Sequence, residues 1–318
     1  MEKIFEEKCE QLRRCIEKQL IPLINNDYVL YDLPYHENIG DLLIWKGELA
    51  FLWQLPYKQL GLCSFFTYKH KYLSSETIIL MHGGGNLGDI WRKSQDFRLQ
   101  IVKEYPNNPI IIFPQTVWYN DLDTMKRDAE IMSRHKNLTI CARDRKSFEL
   151  LQTYFSANKI LLVPDMAFCL LPEWIHRFQS KCNHKVLFLK RKDKELNKSY
   201  SSLPLEKDEV NVSDWPTFEK KHIVQKLGNG LLFLSYYFPK IFSKVSDGYF
   251  RFILMPYFIK LGLRFVSSYK YVYTTRLHVA ISCVLLGKPF TLLDNSYGKN
   301  RSFYDTWLAD IDDVKLMK

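Results

Sequence analysis

Five short apolar runs, none alternating strictly with polar residues, recur through the first half of the chain: YVLYDL (28–33), TIILMH (77–82), PIIIFP (109–114), LTICAR (138–143) and KILLVP (159–164). A strand with one face in water alternates, so runs of this kind predict strands buried on both faces, as in a parallel sheet. Helical patterns fit between them over 41–54, 90–104, 122–134 and 145–155. The same alternation returns with KVLFLK (185–190), YVYTTR (271–276) and FTLLD (290–294), and with a helix over 278–286 that Gly287 and Pro289 end. Repeated strand–helix–strand order specifies an α/β chain of doubly wound type. At 318 residues it has room for two such domains. The expected division is an N-terminal domain over 1–170, a hinge at 171–184 where composition shifts, a C-terminal domain over 185–300, and a C-terminal helix over 301–318 that packs back on the first domain.

Charge is unevenly placed. Lys and Arg exceed Asp and Glu by 45 − 35 = +10, and residues 181–270 carry +9 of that, with 17 basic against 8 acidic residues. A local excess points to one basic face that meets an anionic substrate or a membrane surface, rather than to a chain-wide coat for nucleic acid. Seven cysteines without a CxxC pair indicate neither a disulfide framework nor a zinc site. The first twenty residues lack the apolar stretch of a signal peptide and read as a helix. No uncharged apolar window is long enough to span a bilayer.

Candidate chemistry gathers after the predicted strands, where open parallel sheets place their ligands. Asn38-Ile39-Gly40-Asp41 follows the first strand and opens a helix, a position friendly to anions; an ordinary capped turn explains it equally well. His82-Gly83-Gly84-Gly85-Asn86-Leu87-Gly88-Asp89 satisfies GxGxxG, but no ribose-binding acid ends the next strand, which runs into Pro114-Gln115-Thr116. A glycine-rich turn there still lets backbone N–H groups approach a phosphate, with Asn86 and Asp89 as polar side chains. Arg143 ends another strand and can hold a carboxylate or phosphate; the alternative is a surface arginine paired with Asp144 or Glu149. Arg276 and His278 flank Leu277 where a strand gives way to a helix, an arrangement that can fix an anion and move a proton. Tyr297 and Lys299, with Asn38 and Gln115, are candidate walls of the same cleft. No P-loop, HExxH, GxSxG or zinc-deaminase signature occurs, and no metal site is expected.

HGGGNLGD, IIIFPQT, ARDRKSFELL, VPDMAF and TTRLHVAISCVLLGKPFTLLDNSYGKN together resemble the polysaccharide pyruvyl transferases, in the right order across most of residues 36–307. The resemblance implies two Rossmann-like domains in a GT-B-like arrangement with the active site in the inter-domain cleft. It implies transfer of the enolpyruvyl carbons of phosphoenolpyruvate, a donor substrate and not a cofactor, onto two hydroxyls of a sugar to give a pyruvate ketal. It also implies a donor site lined by Arg143, by Arg276 with His278, and by Gly84, Gly85 and Asn86. Phosphoenolpyruvate carries a carboxylate and a phosphate, so Arg143 and Arg276 on opposite domains can clamp it while His278 protonates C3. Asp41 or Asp89 would orient or deprotonate the acceptor hydroxyl, with Asp89 the weaker choice because an Asp after Gly at a helix start is an ordinary cap. Residues 195–265 match no motif.

Within that gap, residues 231–270 mix aromatic and aliphatic residues with Lys240, Lys244, Arg251, Lys260, Arg264 and Lys270. Such a segment suits the surface of an anionic leaflet presenting a lipid-linked sugar. Pro239, Gly248, Pro256 and Gly262 interrupt any continuous amphipathic face and favour core helices with lysines turned outward. The expected setting is cytoplasmic, peripheral at the inner face of the membrane. The rival functions are a GT-B glycosyltransferase using a nucleotide sugar, for which no base-stacking wall is visible, and a basic nucleic-acid-binding module, which leaves Arg276 and His278 without a purpose. No nucleic-acid partner is expected, and the sequence gives no oligomeric state.

Overall fold

The structure is a computed structural model in which residues 2–193, 195–197 and 210–317 are described. Part of the unmatched segment, residues 198–209, lies outside them. Among the described residues the strands are β1 (Tyr28–Tyr31), β2 (Gln59–Leu62), β3 (Ile78–Met81), β4 (Gly84–Gly88), β5 (Ile110–Trp118), β6 (Leu138–Ala142), β7 (Lys159–Leu162), β8 (His184–Leu189), β9 (Val210–Ser213), β10 (Tyr269–Thr274), β11 (Phe290–Leu293) and β12 (Val314–Met317). They form two sheets. The first runs β2-β1-β3-β5-β6-β7 with β4 added along β5, and the second runs β12-β11-β10-β8-β9. The pairings in both are parallel.

The apolar runs have the cause the sequence suggested. In β1, β3 and β5, Leu30, Leu80 and Phe113 point into one core, while Val29, Ile79 and Ile112 point into a second core on the opposite face. The second core is closed by α3 (Arg92–Glu104), α4 (Leu122–Ser133) and α5 (Arg145–Tyr154), the two latter capped by Asp121 and Asp144. The larger core continues into the second sheet through Leu187, Val272 and Leu292. Around it lie α1 (Glu2–Leu20), α2 (Ile39–Leu52), the short α6 (Pro172–His176) and α7 (Pro216–Glu219), α8 (Ile223–Tyr237), α9 (Pro239–Tyr249), α10 (Met255–Ser267), α11 (Leu277–Leu285) and α12 (Lys299–Trp307). All nine residues of α11 are buried, as are ten of the fourteen in α2, so both helices are apolar nearly all round and lie inside the molecule.

Several expectations are corrected. The glycine-rich segment is not a turn on a helix N-terminus: Gly84–Gly88 extends as β4 because β5 runs on to Trp118 and offers it a partner. Gly88 has φ +136° and its backbone lies against the Trp118 carbonyl, where any Cβ would collide. The C-terminal helix over 301–318 is shorter: α12 stops at Trp307 and the chain pairs again as β12. α12 hydrogen-bonds to the first half through Ser302 to Asp144 (2.8 Å) and through Trp307 to the Arg143 carbonyl (2.7 Å). The aromatics of 231–270 are not all core: Phe233, Tyr236, Tyr237 and Phe238 are exposed. Among the cysteines, all free, only Cys15 and Cys182 are not buried. Among the described residues no helix is long and apolar enough to cross a membrane.

α2 reaches the turn at 166–169 so closely that Gly47 sits against the Met166 carbonyl. Gly47→Ala should therefore destabilise the protein by roughly 2 kcal/mol or more, since backbone must move to admit the methyl. Thermal melts check this, and an unchanged midpoint would contradict the packing.

Candidate active site

Each sheet reverses its winding order once, between β1 and β3 in the first and between β8 and β10 in the second. Ligands of doubly wound proteins bind outside the carboxyl ends of strands at such points. α2 follows β1, and α11 follows β10. The N-termini of these two buried helices meet, because a Cβ on Gly40 would lie 2.5 Å from Nδ1 of His278. The His278 ring thus lies flush against glycine backbone.

Its other edge meets an ion pair. His278 Nε2 lies 3.3 Å from Asp165 Oδ2 and 3.4 Å from Arg143 Nη1, and that same Arg143 nitrogen donates to Asp165 Oδ2 at 2.8 Å. Arg143 Nε donates to Thr116 Oγ1 at 2.8 Å, and the side chain is 1% exposed, so it is not a surface arginine paired with Asp144 or Glu149. Burial pushes the Asp165 carboxyl up, but His278, Arg143 and the Ala167 N–H hold it well below the usual carboxylate range. The terminal Nη2 of Arg143 is aimed at Gly85, whose Cβ would lie 2.9 Å from it and 3.4 Å from Lys299 Nζ. Two cations from different sheets therefore face one glycine.

A second charged network runs on from Lys299. Its Nζ donates to Glu195 Oε2 at 2.9 Å, Glu195 also receives Arg191 at 2.6 Å, and Arg191 is clamped on Asp193. Burial raises Glu195, yet Lys299 and Arg191 leave it far below its ordinary pKa. Burial likewise lowers Lys299, against the opposing pull of Glu195. Arg276 closes the chain: its guanidinium grips Asp214 through Nε and Nη2 and reaches Asp193 at 3.4 Å. Arg276 and His278 therefore do not converge directly; one side chain turns toward β9 and the other toward β6.

The remaining candidates divide. Asp41 lies opposite Gly84, 3.8 Å from where its Cβ would be, and Asn38 both caps α2 and donates to Asp41 at 2.7 Å. They lie at the first turn of α2, whose Gly40 packs on His278. Asp89 instead pins the loop after β5, accepting from the Asn120 and Asp121 N–H groups at 2.6 and 2.9 Å. Asn86 is held by Arg98, whose two terminal nitrogens take its carbonyl and side-chain oxygens. Gln115 donates to the His82 carbonyl at 2.7 Å and accepts from the Asn86 N–H, so it fastens β4 rather than lining an open wall. Tyr297 packs on Trp118 with tilted rings, centroids 4.8 Å apart, and holds Lys146 through its carbonyl.

The fold and this centre define an α/β protein of Rossmann-like, parallel-sheet type with buried cations at the strand ends. Comparison with known proteins is consistent with that class. A crystal structure of a functionally uncharacterized protein from Klebsiella pneumoniae subsp. pneumoniae NTUH-K2044 has a TM-score of 0.64 over 96% of this chain and 98% of that one, at 20% identity, and shows the shared fold. EpsO of Bacillus subtilis (strain 168), named as a pyruvyl transferase, is 34% identical over 312 residues, covering 92% of this chain and 89% of that protein. Pyruvyl transferase 1 of Schizosaccharomyces pombe is 28% identical over 291 residues, covering 88% and 69%. The family model for polysaccharide pyruvyl transferase matches residues 38–297, and the chain belongs to that family.

One neighbouring pair contributes a pH response. His82, buried at the end of β3, contacts Glu48 Oε2 through Nδ1 at 2.8 Å, while Glu48 also accepts from the Gly83 N–H at 2.8 Å. Burial pushes the imidazole down, but Glu48, with Asp41 and Asp32 nearby, more than offsets this and its pKa rises above 6.5. A base with a raised folded pKa adds stability that is complete below its unfolded value and fades as pH climbs through the folded one. Thermal midpoints should fall as pH rises above about 6.5. Glu48→Gln should lose about 3 kcal/mol at the acidic end and show a flatter profile. Parallel profiles for the two proteins would contradict the pairing.

Proposed function

We propose that the protein transfers the three carbons of phosphoenolpyruvate onto two hydroxyls of one sugar residue, in a polysaccharide or its lipid-linked precursor, as a pyruvate ketal. The observation carrying this reading is the meeting of Arg143, Asp165 and His278 beside Gly85 and Lys299. In this reading the parallel-sheet halves, 1–170 and 185–300 joined through 171–184, are GT-B-like domains whose cleft holds the reaction. The donor's carboxylate and phosphate lie over Gly85 between Arg143 and Lys299, with Arg191 and Arg276 extending the positive wall. Glycine is needed at 85 because a side chain would fill the space both cations face.

His278 delivers a proton to C3 as the first sugar hydroxyl attacks C2. The C2–O bond to phosphate then breaks and the second hydroxyl takes its place on C2. Of the two hydroxyl protons displaced, one is matched by the proton gained at the new methyl group and the other by the proton leaving with phosphate. Asp41 is the better base for an acceptor hydroxyl, since it lies near Gly84 and follows Gly40, which packs on His278, whereas Asp89 is engaged by the loop after β5. Asp165 is a positioning residue that orients the imidazole. A donor of central metabolism places the reaction in the cytoplasm.

The test is phosphate release and product mass on incubation with phosphoenolpyruvate and galactose-, mannose- or glucose-containing acceptors. Wild type should add one pyruvate ketal per sugar, and His278→Ala should lower kcat by about 10²–10⁴ while donor binding persists. Gly85→Ala should instead raise the KM for phosphoenolpyruvate by about tenfold or more, with a smaller change in kcat. Absence of calorimetric binding of phosphoenolpyruvate to the wild type would overturn the donor assignment.

A further inference from the structure

Helices α8 and α9 form a hairpin joined at Phe238-Pro239, built the opposite way round from a hairpin made for water. The faces in contact are small and polar: Ser235 and Ser246 share a hydrogen bond at 2.7 Å, Ser243 is buried, and Gly228 packs on Phe250. The outward faces are large and apolar. The hairpin exposes eight large apolar side chains from Ile223 to Val245, and Phe252, Ile253 and Tyr257 just after it expose three more, against twelve in the rest of the described chain, with Phe233 at 62%, Tyr236 at 79% and Ile241 at 65%. So dense a patch has an occupant. Small residues between helices with bulky ones outside is the arrangement helices adopt against lipid.

Charge selects the occupant. Residues 220–270 carry nine Lys and Arg and a single acid, Asp247, a balance of 9 − 1 = +8. That acid faces inward, accepting from Tyr35 and Thr67 at 2.7 Å each. Lys226, Lys240 and Lys244 are exposed among the outward aromatics. A second copy of the chain would bring like charge against like charge, whereas an anionic bilayer complements both the apolar and the cationic components. At fifteen and eleven residues, α8 and α9 are too short to span and suited to lie in the interface.

We propose that the outer face of the α8–α9 hairpin docks the protein on an anionic phospholipid surface, the aromatics entering the headgroup region and Lys226, Lys240 and Lys244 pairing with lipid phosphates. The hairpin is fastened beside the site. Phe250, just after α9, stacks on Tyr35 at 4.3 Å, and Tyr35 leads through residues 36–38 into the cap of α2, whose Gly40 abuts His278. Docking would hold the strand-end site near the membrane plane, where a lipid-linked acceptor is presented. The surface itself is independent of the reaction assigned to the site.

Flotation of the full chain with phosphatidylcholine vesicles, with and without phosphatidylglycerol, tests the proposal. Binding is expected only with the anionic lipid and should weaken with salt. Lys240→Glu with Lys244→Glu should reduce partitioning about tenfold or more. Phe233→Ser with Ile241→Ser should do the same at unchanged thermal midpoint, because both side chains lie in solvent. Phosphate release with a water-soluble acceptor should be unaltered in these variants, which separates this surface from the catalytic assignment. Binding that tolerates the serine variants would reduce the effect to unspecific charge attraction and overturn the proposal. So would failure to float, whether the protein is a monomer or a dimer that the serine variants dissociate.

Discussion

The Asp165 carboxylate holds the centre together. It is fully buried, its Oδ2 faces Arg143 and His278, and its Oδ1 caps the 166–169 turn through the Ala167 N–H at 3.0 Å. Arg143 comes from the end of β6 and His278 from the start of α11, so one anion ties the first sheet to the second. Its surroundings explain its strength. α2 and α11 are apolar almost all round and exclude water from the joint, and in such a setting an unpartnered charge costs roughly 3–5 kcal/mol. Each member is therefore held by the others, which gives the imidazole a fixed heading before any substrate arrives.

The same logic extends along the second network. Arg191, Arg276 and Lys299 are buried cations, and each is met by a carboxylate from Asp193, Glu195 or Asp214. Pairing is what allows so many charges below the surface. It also sets a condition on any anionic ligand, which gains only what remains after competing with these carboxylates. Gly85 leaves open the space that both Arg143 Nη2 and Lys299 Nζ approach, since a Cβ there would lie 2.9 and 3.4 Å from them.

Much of this was legible in the residue order, for identifiable reasons. Runs such as Ile110–Phe113 announce strands buried on both faces, and a strand end followed by a helix start announces Arg143 and His278 as site candidates. What one-dimensional pattern cannot carry is the direction of a side chain. Arg276 and His278 are two residues apart, yet one faces Asp214 and the other Asp165. Asp165 stood in a visible Val-Pro-Asp segment after β7, where its position at a strand end was the available signal. Glu195 and Arg191 lay in a charged run after β8 that reads as solvated surface until Lys299 is brought against it. The glycine-rich segment misleads for a related reason: its glycines suit a turn, but the extra length of β5, which only pairing reveals, draws it into a strand.

The hairpin at α8–α9 shows the limit of pattern from the other side. Proline and glycine at 239 and 248 interrupt amphipathic periodicity along the sequence, which argues for burial if the helix is treated as one rod. Folded back at Pro239, the two short helices present one composite face, and the serines that spoil a single hydrophobic stripe become the seam between them. Asp247 then has a function that its neighbours lack. As the one acid in a strongly basic stretch it bonds Tyr35 and Thr67 rather than a lysine, so the hairpin is anchored to the first half of the chain by a part-buried contact, and its outward charge is left wholly positive. Anchoring inward through the only anion while keeping the cations outward is what a surface made to meet an anionic layer requires.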